Sequence, residues 1–387
     1  MRFALFLLKA IIAVPVAAAA VPTTDTVKRA IPAIISGTPI GFASGATGGG
    51  NATPVHPSTI QQLITYLTSD DPQNIVISGE LDFTGSEGTQ KAGACDAYSC
   101  TTSEGGQALL NTLGGCGTQP TYDVTVDSAA YTAINVQSNK SLVGQDGATL
   151  IGKGLRFQGA SNIIIQNIKI TNLNPQYVWG GDALSFSDSR DIWIDHVTTS
   201  SLGRQHYSFG TGSSLGITIS NSFIDGQTAY SATCDGHTYW GLELVGSGDQ
   251  ITFYKNYIYY TSGRTPALSG NTLFHAVNNV WSSNSGHLIE GDSDGKGLYE
   301  GNYFLDVPVV VVSGFSGRLM SSNADHVTEC AAYLGRDCVS NSFSNSGSFS
   351  RDDNTFLNLF EGKADIVGAD PESAIQNTVP LSAGNTL

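Results

Sequence analysis

Short apolar runs closed by Asn or Asp recur along the middle of the chain. They are Ile163-Ile164-Ile165-Gln166-Asn167, Asp191-Ile192-Trp193-Ile194-Asp195, Ile217-Thr218-Ile219-Ser220-Asn221, Ile251-Thr252-Phe253-Tyr254-Lys255-Asn256, Leu273-Phe274-His275-Ala276-Val277-Asn278 and Leu298-Tyr299-Glu300-Gly301-Asn302. Runs of this length, rich in β-branched and aromatic residues, predict strands. Their closing residues are 28, 26, 35, 22 and 24 residues apart. Such intervals predict the coils of a parallel β-helix, each built from short strands and turns. The long interval predicts an inserted loop over Gly226 to Trp240. An asparagine at one turn of each coil can stack into a ladder whose amides satisfy backbone groups that the turn leaves unpaired. Asn167, Asn221, Asn256, Asn278 and Asn302 are the expected rungs. A β-sandwich would need hairpin signals every 8–12 residues or so, and Asn-Gly or Asp-Gly pairs between alternating runs are sparse here.

One helical period stands out near the start. Ile60, Leu63, Ile64 and Leu67 share a face, Ser58 or Thr59 can cap it, and Pro72 follows its end. The expected role is a cap over the open end of the stack, because terminal units of a solenoid are atypical. Ile75 to Phe83 reads as the strand that follows. After about residue 340 the chain turns rich in Ser, Asn, Gly and Asp, with Phe343, Phe349, Phe356, Leu357 and Phe360 as apolar anchors. This tail is expected to pack back along the β-helix. The 45 glycines suit a fold with many turns.

The first residues have the form of a secretory leader. Met1-Arg2 is followed by a short apolar run and by Ala18-Ala19-Ala20. The expected division is a signal peptide over 1–20, a propeptide over 21–29 ending at the dibasic Lys28-Arg29, and one β-helix domain over 30–387. A flexible arm is the alternative for 21–29. The apolar run is too short to span a bilayer. Loss of residues 1–29 would leave 14 Lys+Arg against 32 Asp+Glu. So acidic a surface repels polyanions, which argues against nucleic acid as a partner. A secreted monomer acting on a neutral or partly neutralised polymer fits better.

The six cysteines, Cys95, Cys100, Cys116, Cys234, Cys330 and Cys338, form an even set that suits three disulfides in a secreted chain. Cys330 and Cys338 are near each other and apart from the rest, so they are expected to pair. The other four would tie the 95–116 region to Cys234, with their connectivity open. No CxxC pair supports a zinc site. Asn51-Ala52-Thr53 and Asn139-Lys140-Ser141 have the form of glycosylation acceptors.

Only 13% of residues are charged, so cations set among glycines and aromatics draw attention. Asp182 closes Val178-Trp179-Gly180-Gly181-Asp182, Arg204 lies in Gly203-Arg204-Gln205-His206-Tyr207, and Arg264 lies in Thr261-Ser262-Gly263-Arg264-Thr265-Pro266. If these converge, they make a cationic site in an acidic protein, suited to deprotonating a carbon acid beside a carboxyl group. Each has a structural alternative. Arg264 could bond turn carbonyls, Arg204 could pair with a nearby carboxylate, and Asp182 could cap a turn. Trp179 and Trp240 could stack on sugar rings or pack in a core. Tyr239, beside Trp240, is a further candidate substrate contact. His206 could line a cleft or be a satisfied buried histidine.

These motifs resemble the fungal pectin lyases of the pectate lyase superfamily. The resemblance also rests on Ser36-Gly37-Thr38-Pro39-Ile40-Gly41-Phe42-Ala43-Ser44, Asn139-Lys140-Ser141-Leu142, Trp193-Ile194-Asp195-His196-Val197, Tyr230-Ser231-Ala232-Thr233-Cys234-Asp235-Gly236 and Tyr333-Leu334-Gly335-Arg336-Asp337-Cys338. It spans most of the chain. It implies a single-stranded right-handed parallel β-helix and cleavage of methyl-esterified polygalacturonan by β-elimination. It also implies Arg264 as base, Arg204 as enolate stabiliser with Asp182 beside it, and no metal or other cofactor. Relatives that cleave the free acid offset its charge with calcium, a Lewis acid. A methyl ester carries no such charge.

Three positions depart from the family pattern. Thr265-Pro266-Ala267 stands where Ser-Pro-Lys is usual, Gly115 rather than tryptophan precedes Cys116, and Glu243 occupies a common aromatic position. Other readings are a calcium-dependent pectate lyase, a β-helical polygalacturonase, and a wall-binding paralogue without turnover. The hydrolase would need clustered catalytic carboxylates, and the chain's adjacent pair, Asp352-Asp353, lies in the tail.

Overall fold

The computed structural model describes residues 31–363 and 365–387. The expected leader and propeptide lie outside the described residues. The chain winds into a parallel β-helix. A 17-stranded sheet supplies two of its faces and an 8-stranded sheet supplies the third. Coils stack in register. On the first face, Ser161–Gln166, Arg190–Asp195, Leu215–Ser220, Gln250–Tyr254, Leu273–Val277 and Lys296–Glu300 pair in order. The second face follows each of these after a two-residue bend.

The in-register stack explains the unbroken apolar runs. Ile163, Ile192, Ile217, Ile251 and Phe274 are aligned neighbours, as are Ile165, Ile194, Ile219, Phe253 and Ala276. Both columns are fully buried in the coil interior. Burying each such aliphatic side chain contributes roughly 1.5–3 kcal/mol. The alternate positions face outward, yet Ile164 and Trp193 are also buried, against Ala43 and Ala46 of the N-terminal segment. Strands covered on both faces lose the polar/apolar alternation of a half-exposed sheet.

The bends hold the asparagine ladder, one residue out of step with expectation. Asn167, His196, Asn221, Lys255, Asn278 and Gly301 open the bends with φ between +46° and +61°. Asn tolerates this left-handed region better than most residues. The ladder runs through the second bend residue. Asn279 Oδ1 accepts from Asn256 N at 2.9 Å, Asn302 Oδ1 from Asn279 N at 2.9 Å, and Asn341 Oδ1 from Asn302 N at 2.9 Å. Asn256 and Asn302 are therefore rungs as expected. Asn167, Asn221 and Asn278 are not, and Asn279 and Asn341 complete the stack. Two of the displaced residues hold the tail instead. Asn278 accepts from Asp370 N at 2.7 Å, and Asn167 accepts from Leu387 N at 3.0 Å.

The ends are closed as the pattern suggests. Helix α1, Ile60–Thr68, is capped by Thr59, whose Oγ1 accepts from Gln62 N at 3.2 Å, and it buries Leu63 and Leu67. The tail first adds a strand, Ser342–Ser344, to the second face. It then packs along the outside, with Phe356, Leu357 and Phe360 against Leu273, Leu298 and Met320. Ile375 and Val379 pack against Val280, beside Phe223 and Tyr257. Cys330–Cys338 pair as expected, and the others form Cys95–Cys116 and Cys100–Cys234. The loop over 226–240 is thereby tied to the small sheet that carries residues 89–127. Asn51 is exposed, whereas Asn139 is half-buried and its Oδ1 accepts from Asn162 at 2.8 Å.

Arg336 fastens the last turn. It gives two hydrogen bonds, 2.8 and 2.7 Å, to buried Glu300, which also meets His275 Nε2 at 2.8 Å. Burial opposes ionisation of Glu300, but the bonds from Arg336 and His275 outweigh it and hold the carboxyl at about 2.

Two outcomes are expected. Asn279→Ala leaves ladder partners unpaired on both sides and should cost about 3 kcal/mol, read as a lower urea midpoint. A carboxyl depressed in the folded state stabilises it above the unfolded value of 4.5, and that contribution is lost as pH falls toward about 2. Glu300→Gln should therefore flatten the loss of stability across that window, measured by urea unfolding at stepped pH, while lowering stability at neutral pH.

Candidate active site

The third face displays the chemistry. Leu155–Gln158, Leu184–Ser187, Tyr207–Phe209, Leu242–Leu244, Ala267–Leu268 and His287–Gly291 lie side by side. Their inward residues, such as Phe186, Phe209, Leu244 and Leu268, fill the core. One outward residue from each strand falls in a single column: Arg156, Ser185, Ser208, Glu243, Ala267 and Glu290. Hydrogen-bonded strands are about 4.8 Å apart, so the column spans roughly 24 Å.

Asp182, Arg204 and Arg264 sit in the turns just before three of these strands. Each arginine follows a glycine that has no room for a side chain. A Cβ on Gly203 would lie 2.5 Å from Tyr177 O, and one on Gly263 would lie 2.4 Å from the Tyr239 ring. The Gly-Arg pairs of the sequence are therefore close-packing devices that let the guanidinium groups reach the face.

The charges alternate along the face. Arg204 Nη1 donates to Asp182 Oδ2 at 3.2 Å, and its Nη2 donates to Glu243 Oε2. Arg264 Nη1 donates to the other Glu243 oxygen at 3.4 Å, and its Nε donates to Glu290 Oε1 at 2.8 Å. Asp182 thus leads to Arg204, Glu243, Arg264 and Glu290 in unbroken sequence. Glu243 binds both arginines and also accepts from Ser208 at 3.2 Å. Asp182 accepts from Gln205 N at 2.8 Å. Burial pushes the Asp182 carboxyl above its usual value, against the pull of Arg204 and that amide. Glu290 accepts from Tyr239 at 2.7 Å and meets His287 Nε2 at 2.8 Å. Burial works against its ionisation, but His287, Tyr239 and Arg264 prevail and hold it at about 2. The partnership drives Tyr239 the other way: burial and its bond to Glu290 raise the phenol to about 12.

Aromatic rings support both cations. The Trp179 ring lies 3.9 Å from the Arg204 guanidinium carbon, and the indole is 43% exposed at the groove. Arg264 lies 5.0 Å from the Trp240 ring and 5.6 Å from Tyr239. Trp240 is only 8% exposed and donates its indole N–H to Gln107 at 2.8 Å, so it carries Arg264 rather than offering an open face. His206 leaves the groove altogether. It is 1% exposed and bonded to Thr199 Oγ1 at 2.7 Å, and burial drives it down to about 3. The expectation that it lines the cleft is thus corrected: its neighbour Arg204 takes the outward position and the imidazole fills the coil. Asp182, Arg204, Arg264, Trp179, Trp240 and Tyr239 are brought together.

Four participants escaped the sequence reading as site residues. Glu243 was noticed only as a departure, and Glu290, Gln107 and Arg156 not at all. Gln107 donates to Pro175 O at 2.9 Å and Gly203 O at 3.2 Å, binding the disulfide-rich lobe to the turn of Arg204. The available signal was an isolated Glu in each of two apolar strands, Leu242-Glu243-Leu244 and Leu288-Ile289-Glu290.

A family model described as pectate lyase matches residues 110–346. Probable pectin lyase E of Aspergillus niger is 67% identical over 355 residues, which cover 92% of this chain and 96% of that one. Pectin lyase A of Emericella nidulans is 48% identical over 360 residues, 91% and 94% of the two chains. Among solved structures, a pectate lyase from Bacillus sp. N165 in complex with trigalacturonate aligns with a TM-score of 0.56 and 19% identity, over 89% of this chain and 98% of that one. The cedar-pollen allergen Jun a 1 aligns with a TM-score of 0.56 and 17% identity, over 89% and 92%. At these identities the solved structures speak for the fold alone. The family match and the high identity to the Aspergillus protein agree: the chain belongs to the pectate lyase family and, within it, to the fungal pectin lyases.

Proposed function

We propose that this protein is a secreted pectin lyase that cleaves methyl-esterified (1→4)-α-D-galacturonan by β-elimination, without calcium. The observation that carries the reading is the pair Arg204 and Arg264, held on one face of the β-helix by Asp182, Glu243 and Glu290. The substrate's C5–H bond breaks, the C4–O bond to the next sugar breaks, a C4=C5 double bond forms, and the departing oxygen takes up a proton from solvent. Negative charge develops on the C6 carbonyl oxygen as the C5 proton leaves. A buried guanidinium is suited to stabilise that charge, because it is preorganised and cannot lose its own charge readily. Arg204 takes this role, with Asp182 fixing its orientation and Trp179 offering a ring to the sugar.

Arg264 takes the C5 proton. Arginine is protonated in proteins at ordinary pH, so proton transfer must be coupled to enolate formation, with its own proton shared with a neighbour. Glu243 and Glu290 are the acceptors already bonded to it. Calcium independence follows from two features. The ester masks the substrate charge that a metal would otherwise offset, and Arg204 already supplies a fixed cation between Asp182 and Glu243. A second reading, a pectin-binding protein with little turnover, draws support from the same ion pairs, because both arginines are engaged before substrate arrives.

On highly methylated pectin the purified protein should release products with the ultraviolet absorbance of an unsaturated uronate, equally with and without a chelator. Chelator-sensitive activity on de-esterified substrate would instead mark a pectate lyase, and absence of product would favour the binding protein. Arg264→Lys should lower kcat by at least about 10²-fold, and Arg204→Gln by about 10²–10³-fold. Circular dichroism of both variants should match the parent. Retained activity in either would remove that residue from its role.

A further inference from the structure

The outward column of the third face is electrically lopsided. Its far stretch is Glu243, Ala267 and Glu290, with Ala267 aligned between the two glutamates. Its near end is Arg156, aligned with Ser185. Arg204 and Arg264 are each engaged by two carboxylates. Arg156 has no salt-bridge partner within 4.0 Å among the described residues, although its charge acts on Asp182. It lines an open cleft with Trp179, Asp182, Ser185, Tyr131 and Thr112. The Asp182 carboxylate in that cleft is already occupied by Arg204 and the Gln205 amide. The ring of Trp179 is backed by Arg204 at 3.9 Å, and the indole is substantially exposed.

A cation without an ion-pair partner, beside an exposed aromatic platform and at the positive end of a charge gradient, is a receptor for an anionic sugar. We infer that Arg156 forms a distal subsite that takes one free galacturonate carboxylate, while the stretch around Glu243, Ala267 and Glu290 admits only neutral, esterified residues. This rests on the proposed pectin lyase activity and goes beyond it, because it sets a pattern of esterification along the bound chain. Arg156 lies four strands, or roughly 19 Å, from the strand that follows Arg264. Two strands, roughly 10 Å, separate it from the strand that follows Arg204, so the free carboxylate sits beyond the reacting sugar, at one fixed remove from the cleaved bond and always on the same side. At the other end Glu243 and Glu290 already engage Arg204 and Arg264, and no lysine stands at 267 to supply a further cation for an anion. A guanidinium meets a carboxylate through two parallel hydrogen bonds, which a lysine cannot reproduce.

The test uses the wild-type protein, Arg156→Gln and Arg156→Lys. Initial rates are compared on fully methyl-esterified and on partly de-esterified galacturonan oligomers, and products are sequenced by mass spectrometry. In parallel, binding of digalacturonate and of its dimethyl ester is followed by tryptophan fluorescence, which needs no turnover. Wild type should place an unesterified residue at one fixed distance from the new unsaturated end. Arg156→Gln should scramble that position and lower the ratio of kcat/KM for partly de-esterified over fully esterified oligomers by fivefold or more. Its affinity for digalacturonate should fall relative to the dimethyl ester, with Arg156→Lys intermediate. An equal loss on both substrates would mean that Arg156 serves Asp182 and Arg204, and would overturn the subsite, as would an unaltered product pattern. If wild type has no lyase activity, the proposed function fails. The paired binding measurement still decides the subsite: an unchanged ratio of the two affinities in Arg156→Gln overturns it.

Discussion

Everything in this molecule hangs on the in-register hydrogen bonding of one coil to the next. Parallel strands stacked without slippage turn residues far apart in sequence into straight columns. The interior columns of Ile, Leu and Phe supply the apolar burial, and the bends between faces are locked by amide-to-amide bonds through Asn256, Asn279, Asn302 and Asn341. A one-residue slip in any strand would exchange its inward and outward side chains. The same register that holds the core therefore decides what the groove displays. A column of Arg156, Ser185, Ser208, Glu243, Ala267 and Glu290 can exist only if every coil between residues 155 and 291 keeps its place.

On that scaffold the groove solves an electrostatic problem. Two guanidinium groups on neighbouring turns repel, and two lone carboxylates would repel an acidic polymer. Alternating them along the face lets each stabilise its neighbour, with Glu243 as the shared partner. The arrangement keeps both cations at the face. Aromatic rings and the coil interior limit water around Arg204, which strengthens these interactions relative to bulk solvent. The glutamates that orient the arginines also shape the electrostatic field at this face. The departures from the family pattern at Glu243 and Ala267 acquire a common meaning here, because register aligns them side by side.

Much of the fold was legible in the chain. Strand runs, the capping helix, the inserted loop before Trp240 and the packed tail all follow from periodicity and from turn residues, which are local properties. The asparagine ladder was legible in kind and misread in detail. Asn278 and Asn279 are adjacent, and sequence alone does not say which takes the left-handed bend and which turns along the stack. Asp182, Arg204, Arg264, Trp179 and Tyr239, which the fold brings together, stood out in the sequence because glycine and aromatic neighbours mark them. His206 was misassigned because alternation in a three-residue strand entry depends on where the bend falls. Glu290 carried only the weak mark of a lone carboxylate in an apolar strand, and Gln107 carried none; their significance comes from partners 26 and 133 residues away.

The sequence by itself determined the architecture, the presence of paired arginines in tight glycine-bounded turns, and an acidic, cysteine-paired character. These are set by composition, period and short-range sterics, which need no knowledge of what lies across a coil. Only the tertiary structure decided which residues share a column, that Glu243 joins the two arginines, that Trp240 is a support while Trp179 faces the groove, and that Arg156 stands apart from the ion-pair chain. The reason is physical. Electrostatics and packing act through space over a few ångströms, and in a β-helix those few ångströms separate residues that lie some 20 to 40 positions apart along the chain.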